Sequence, residues 1–379
     1  MNILHITTFM QGGAGRIIQN LAVSQLKSGH NVTVVMNDTE EKGYENYKEY
    51  IAYLDVIGLE YYMVDSTFKR DIFLNVRAAE LVNKIIMDKD IDIIHAHAAT
   101  PSLIAMIAKS NMNKRIPIVQ TMHGWGNNKS TLQELMDINV LNLVDRVVTV
   151  SDADRNLLRL KGIVNDNIKV IYNGIDEYKN DKPINENDID NIKELRCDDS
   201  IVFGCIGSVC KRKNQEMLIQ AIPFLKQENL KVVFIGEGDL TNDLVRDAKR
   251  FGIYDKVKFY GYKIEAYKYI DSFDYMILPS LSEGLPLTLL ESFSRGKPAI
   301  TSNIEVFKEA IIDNVNGFIF DVNSIQDLVE VIKKAITVKT TNRYLTMSNK
   351  CREYYLSNFT SEVMYKNYYD LYCSVLKID

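Results

Sequence analysis

A repeated alternation governs what this chain can become: short apolar runs rich in β-branched residues, each followed by a stretch with helical spacing. The first series reads "NILHITTF", "NVTVVM", "IDIIHAH", "IPIVQTMH", "RVVTVS" and "IKVIYNG". Between the first two, "IIQNLAVSQLKSGH" places Ile17, Ile18, Leu21, Ala22 and Leu26 on one helical face, and Gly29 stops that helix. This rhythm predicts a parallel α/β sheet. The polar stretch "DEYKNDKPINENDIDNIKELRCDDS" then interrupts it, and a second series follows: "IVFGCIGS", "KVVFIGEG", "KVKFYGY", "DYMILPS", "KPAITSN" and "GFIFD". The expectation is two Rossmann-like domains: residues 1–175 joined by a C-terminal helix at about 360–379, a linker at 176–199, and residues 200–359. Doubly wound sheets bind ligands past the carboxyl ends of their strands. The main polar motifs of this chain sit there.

Composition narrows the function. A chain of 379 residues exceeds one ordinary core, in line with two domains. A net charge of −5 gives no basic surplus for nucleic acid. The cysteines (Cys197, Cys205, Cys210, Cys351, Cys373) form no CxxC pair, which suits reduced thiols in the cytoplasm. "MNILHITTF" has neither the basic region nor the long apolar run of a signal peptide, and no window has the apolar length of a membrane span. A cytoplasmic protein is expected. Residues 61–77 ("YYMVDSTFKRDIFLNVR") and 109–117 ("KSNMNKRIP") mix apolar and basic side chains. They read equally as a surface resting on anionic lipid at the inner face of the membrane and as ordinary solvated helices.

The motif "PSLSEGLPLTLLES" (279–292) holds Glu283 and Glu291. On one helix they would stand about 12 Å apart, too far for the paired carboxylates of a glycoside hydrolase. Pro286 suits the first helical position, which leaves Glu283 in the preceding loop. The N–H groups of Gly284, Leu285, Leu287 and Thr288 are then free to meet an anion, or are simply those of any strand-to-helix turn. "IGSVCKRKNQ" places Lys211, Arg212 and Lys213 directly after a strand, a position that favours a pyrophosphate over a merely solvated charge run. "QGGAGR" occupies the matching place in the first domain. Gly13 and Gly15 begin a dinucleotide pattern, but Ile18 stands where its third glycine belongs; with Asp38 as ribose acid, NAD binding is a weak alternative. His95 and His97 share one strand face, and His123 lies at another strand end between Met122 and Gly124. Zinc needs a further ligand that no spacing supplies, so no metal is expected. "DID" (90–92) leads into a strand and "DAD" (152–154) starts a helix; both read as structural.

Taken together and in order, "GGAGR", "DIIHAH", "TMHG", "RVVTVS", "YNGID", "GS…KRKN", "IGEG" and the E-x7-E element "EGLPLTLLE" resemble the retaining glycosyltransferases of family 4, which have the GT-B fold of two facing Rossmann domains. The resemblance covers nearly the whole chain. It implies transfer of a sugar from a nucleotide-sugar, usually a UDP-sugar, without a divalent metal or other cofactor, in envelope or exopolysaccharide synthesis. By the same resemblance Lys213 neutralises the donor diphosphate, and Ser208 replaces the family's paired arginine, with Arg212 or Lys211 as substitute. Glu291 matches the acid on the ribose and Glu283 the acid near the transferred sugar, with Gly284 and Leu285 as N–H donors. His123 matches the histidine beside the donor sugar, and Gly13 and Ala14 the loop approaching the diphosphate. Arg16, His97 and Trp125 fall on the acceptor side, where the partner is a glycan, lipid-linked or small-molecule acceptor. Two other classes remain open: a catalytically silent sugar-nucleotide-binding subunit, and an NAD-dependent dehydrogenase.

Overall fold

The computed structural model describes residues 1–38, 47–65, 67, 70–126, 129–164, 167–177, 190–191, 194–195 and 198–378. Most of the expected linker at 176–199 lies outside these residues, as do Cys197 and residues 66, 68 and 69 of the basic-apolar stretch. The chain divides into two compact units, Met1–Asp176 with Thr360–Asp379, and Glu177–Phe359.

The first unit holds seven parallel strands: β1 (Asn2–Ile6), β2 (Asn31–Asn37), β3 (Glu60–Val64), β4 (Ile93–Ala96), β5 (Ile118–Met122), β6 (Arg146–Thr149) and β7 (Ile168–Val170), in the order β3-β2-β1-β4-β5-β6-β7. Helices cover both faces, so Ile3, Leu4, Val34, Ile93, Ile94 and Val119 are fully buried. That is why these strands read as continuous apolar runs instead of alternating ones. β3 was not foreseen. Its "EYYMV" is an edge strand with half-exposed tyrosines and lacks the apolar run that marks the others. The sequence of strands reverses direction between β1 and β4, and a crevice opens past their carboxyl ends.

The segment "QGGAGR" differs from its expected form. Helix Gly12–Lys27 begins at its first glycine, with Gln11 at the N-cap position making no side-chain capping bond, so Gly13, Ala14, Gly15 and Arg16 form a helical first turn and not a loop. The reason lies at Gly15: a Cβ there would stand 2.1 Å from the carbonyl carbon of Met10. Without a side chain, the turn settles directly on the loop that leaves β1.

The second unit repeats the plan with six parallel strands: β8 (Ile201–Ile206), β9 (Leu230–Ile235), β10 (Val257–Phe259), β11 (Tyr275–Leu278), β12 (Ala299–Ser302) and β13 (Gly317–Phe320), in the order β10-β9-β8-β11-β12-β13. Its reversal lies between β8 and β11. The helix after β11 spans Leu287–Ser294, one residue later than expected. Pro286 is its cap, held extended at ψ 133°, and its carbonyl accepts from Leu289 N–H at 3.1 Å. Of the two C-terminal helices, Asn342–Asn358 belongs to this unit. Ser361–Leu376 belongs to the first, where Thr360 bridges to Ile175 and the helix packs on Gly12–Lys27.

Candidate active site

In the second unit, the loops leaving β8 and β11 meet at the reversal point. Gly207 ends β8 at φ +146°, and a Cβ on Gly236 would lie 2.1 Å from the Gly207 carbonyl oxygen. Glycine at both positions lets the two strand ends close up, and the Lys213 side chain lies over Gly207. A single turn, Lys211–Lys213, follows, and Asn214 takes a left-handed conformation (φ 55°) to start helix Gln215–Ala221. Leu281 N–H donates to the Arg212 carbonyl at 2.8 Å, and Asn214 Nδ2 donates to the Pro279 carbonyl at 3.1 Å. These bonds fasten the basic turn to the acidic loop.

The result is a compact charge cluster. Lys213 Nζ stands 2.6 Å from Glu283 Oε1, Arg212 Nη1 stands 2.6 Å from Glu283 Oε2, and Ser280 Oγ donates to Oε1 at 2.8 Å. Burial pushes the Glu283 carboxyl up, but the charges of Lys213 and Arg212 outweigh it and hold the group below its ordinary range. Two cations thus share one buried acid, and the surplus positive charge reaches solvent through Arg212, the most exposed of the three. An anion richer than a carboxylate is what such a pair accommodates.

Ser208 supplies no charge here; its carbonyl accepts from Gln215 Nε2 at 2.9 Å. Arg212 stands on Glu283 beside Lys213 and is the second cation of the cluster. Gly284 and Leu285 connect Glu283 to the helix, and the Thr288 hydroxyl in its first turn is buried without a partner among the described residues. Glu291 lies farther along the same helix on its buried side, 2% exposed.

In the first unit, a cavity of about 360 Å³ opens past β1, β4 and β5. Gln11, Ala14, His97, His123, Trp125 and Lys129 are among its walls. Arg70 and Lys129 both grip Asp137, at 2.9 and 2.8 Å. Lys129 Nζ also sits 3.7 Å above the Trp125 ring, whose Nε1 donates to Glu134 at 3.2 Å. The sequence-derived acceptor set is therefore split: His97 and Trp125 share this cavity, whereas Arg16 is not among its lining side chains and its charge acts on Tyr53. Gly13 is exposed in the first turn of its helix. A larger cavity, about 810 Å³, lies between helices Ile72–Asp88 and Ala99–Lys109. It borders the chain entering β4 and β5, the amino ends of the strands, opposite to where such sheets bind ligands.

Sequence reading missed His5, Gln25 and Tyr372. Strand register sets His5 beside His95, and a line of hydrogen bonds joins His123 to His97 (3.1 Å), His97 to His5 (2.9 Å), His5 to Gln25 (2.8 Å), Gln25 to Tyr372 (3.4 Å), Tyr372 to His95 (2.6 Å) and His95 to Thr121 (2.7 Å). Burial lowers the His5 and His123 pKa values to about 4 and pushes His95 and His97 well below the usual histidine range. All four rings are neutral near pH 7. Ligand atoms of His5, His95 and His97 lie within 4.8 Å of one another, a spacing a metal ion would accept. Yet all six of their ring nitrogens are already engaged in the hydrogen bonds just described. The two DxD motifs take the parts expected of them: Asp92 caps the Asn2 N–H at 2.7 Å beside β1, and Ser151 caps the helix whose first turn holds Asp152 and Asp154.

Residues 11–179 match the family model described as Glycosyltransferase Family 4, and residues 186–354 the model described as Glycosyl transferases group 1. The O-antigen biosynthesis glycosyltransferase WclY of Escherichia coli is 28% identical over 300 residues, covering 76% of this chain and 81% of that protein. An E. coli UDP-Gal:alpha-D-GlcNAc-diphosphoundecaprenol alpha-1,3-galactosyltransferase is 25% identical over 308 residues, covering 77% and 78%. Among solved structures, Anabaena HepE in complex with UDP superposes with a TM-score of 0.82 at 19% identity, covering 99% of this chain and all of that one. The two parallel-sheet units are those of the GT-B fold.

Proposed function

Because the chain belongs to glycosyltransferase family 4, we propose that it moves a sugar from a UDP-sugar to an acceptor hydroxyl, with retention at the anomeric carbon, in the assembly of an envelope or secreted polysaccharide. The observation that carries this reading is the seating of Arg212 and Lys213 on one buried acid at the strand reversal of the second unit. The E. coli galactosyltransferase that uses UDP-Gal and a lipid-diphosphate acceptor supports the donor class and a lipid-linked glycan as acceptor.

The chemistry follows from charge. As the bond between the anomeric carbon and the β-phosphate oxygen breaks, negative charge grows on the departing UDP. Lys213 and Arg212 stabilise that charge most in the transition state, together with the N–H groups of Gly284 and Leu285 at the helix start. The new bond from the acceptor oxygen forms on the same face, and the acceptor proton passes to the β-phosphate oxygen. No protein base is needed. Glu291 takes the ribose hydroxyls and Glu283 the transferred sugar once the cations turn to phosphate. In the first unit, the cavity that His97, His123 and Trp125 line is the proposed place of the acceptor, and the family resemblance assigns His123 to the sugar and Gly13 and Ala14 to the donor. No metal is required, and no helix among the described residues is long and apolar enough to cross a membrane.

The test is UDP release from UDP-glucose, UDP-GlcNAc and UDP-galactose in the presence of a lipid-linked glycan extract, with and without EDTA. Release from one of the three, unchanged by the chelator, is expected. Silence with all three overturns the transferase reading and favours a sugar-nucleotide-binding subunit, and loss of release in EDTA overturns metal independence.

A further inference from the structure

Gln25 ends a line of hydrogen bonds that starts at His123, and the line has a direction. Its Oε1 has no proton to give, so His5 Nε2 is the donor across the 2.8 Å contact. His5 is neutral and carries one proton; its Nδ1 is therefore bare. His97 Nε2, 2.9 Å away, must donate to it, which leaves His97 Nδ1 bare in turn. His123 Nε2, 3.1 Å from that atom, must donate again, so the proton of His123 sits on Nε2 and its Nδ1 carries a lone pair. That Nδ1 is out of reach of water and has no hydrogen-bond partner among the described residues, although the ring lines the 360 Å³ cavity.

The other end of the same amide points the opposite way. Gln25 Nε2 donates to the Tyr372 hydroxyl, Tyr372 donates to His95 Nδ1, and His95 Nε2 donates to Thr121. Every imidazole and hydroxyl in the line can reverse its role by moving a proton. An amide cannot; its oxygen accepts and its nitrogen donates until the group physically turns over. Gln25 is fully buried on helix Gly12–Lys27, between His5 and Tyr372 of the C-terminal helix. Turning it would reverse all the bonds and move the His123 proton to Nδ1.

We infer that Gln25 is a positioning residue that sets, through His5 and His97, the tautomer of His123, so that its Nδ1 keeps a lone pair for a hydroxyl of the sugar or acceptor once a ligand entering the cavity displaces the side chains that cover that atom. A buried acceptor without a donor is unfavourable until a ligand hydroxyl meets it, so the hydrogen bond forms only when the cavity is occupied. The consequence for turnover rests on the transferase reading; the tautomer does not.

The experiment is ¹⁵N nuclear magnetic resonance of the full-length protein labelled at histidine, with the His123 signals assigned by their loss in His123→Gln. The wild type should show an unprotonated Nδ1 and a protonated Nε2. Gln25→Leu, which removes both ends of the amide, should give a mixture of the two His123 tautomers and a kcat lower by about tenfold, with the donor KM changed less than twofold. Ile18→Val, a core trim on the same helix, should lower Tm and leave the ring signals in place. A protonated Nδ1 in the wild type overturns the inference, as does an unchanged His123 spectrum in Gln25→Leu. Should Gln25→Leu fail to fold, the wild-type spectrum decides by itself. The ring signals need no turnover, so failure of UDP release leaves this test intact.

Discussion

The two units share a plan and differ in what they place at its centre. Each is a parallel sheet whose strand order reverses once, and each gathers its polar residues past the strands that flank the reversal. The first unit fills that place with neutral rings: all five histidines of the chain lie in it, and four of them are linked through Gln25 and Tyr372. The second contains no histidine and fills the same place with full charges, two cations on Glu283. One scaffold therefore supports two electrostatic designs. In the first unit the neutral network stands behind a cavity whose wall also carries Arg70 and Lys129 on Asp137, whereas in the second the over-balanced ion cluster on Glu283 is itself what stands at the reversal.

The sharpest way to break this contrast is acid. A histidine whose pKa is lowered by folding is neutral in the native state and takes up a proton when unfolded. Above pH 6.5 it leaves stability unchanged. Below pH 6.5 the unfolded chain gains protons, and stability falls until the folded pKa is reached, about 4 for His5 and His123. The buried rings of His5, His95 and His97 all act in this direction, each proton taken up by the unfolded chain alone costing up to about 1.4 kcal/mol per pH unit. Glu283 has the same sign in a lower window: its lowered pKa keeps the cluster charged from pH 6.5 to 4.5, and its contribution is lost as pH falls from the ordinary carboxylate range through the depressed value. The single tryptophan, Trp125, lies in the first unit, so its fluorescence reports that unit alone. Urea midpoints followed at Trp125 should drop steeply from pH 6.5 to 4.5. A flat response there removes the distinction between the units.

The next effect is on catalysis. On the proposed mechanism Lys213→Ala takes away a charge that acts most as UDP departs, and kcat at saturating donor should fall about 100-fold. Full turnover in this variant would mean the cluster is structural, like the ion pairs elsewhere on the surface. The smallest effect separates binding from chemistry within the second unit. Glu291→Ala should raise the donor KM about tenfold with little change in kcat, the mark of uniform binding. An equal loss in kcat would assign Glu291 to the reacting end instead.

Much of this fold was legible because buried parallel strands announce themselves. Twelve of the thirteen strands coincide with apolar runs in the sequence, and the one missed, β3, is an edge strand with half-exposed tyrosines. The sequence singled out Lys211–Lys213 and Glu283 separately, each just past a strand, but their pairing on one another was not foreseen, because it depends on the loops leaving β8 and β11 being fastened together. The glycine segment misled because glycine marks both loops and helix starts; only contact with Met10 decides which. The histidine network was hidden for another reason. Its members come from β1, β4, β5, the first helix and the last, and residues 25 and 372 touch only once strand register and helix docking are both set. Local spacing carries none of that.

The central claim is that a nucleotide diphosphate binds at the strand reversal of the second unit, and a crystal soaked with UDP tests it most directly. The account predicts density for the two phosphates against Lys213 and Arg212 and for the ribose against Glu291. UDP bound elsewhere, with Lys213 and Arg212 still clasping Glu283 alone, would contradict it.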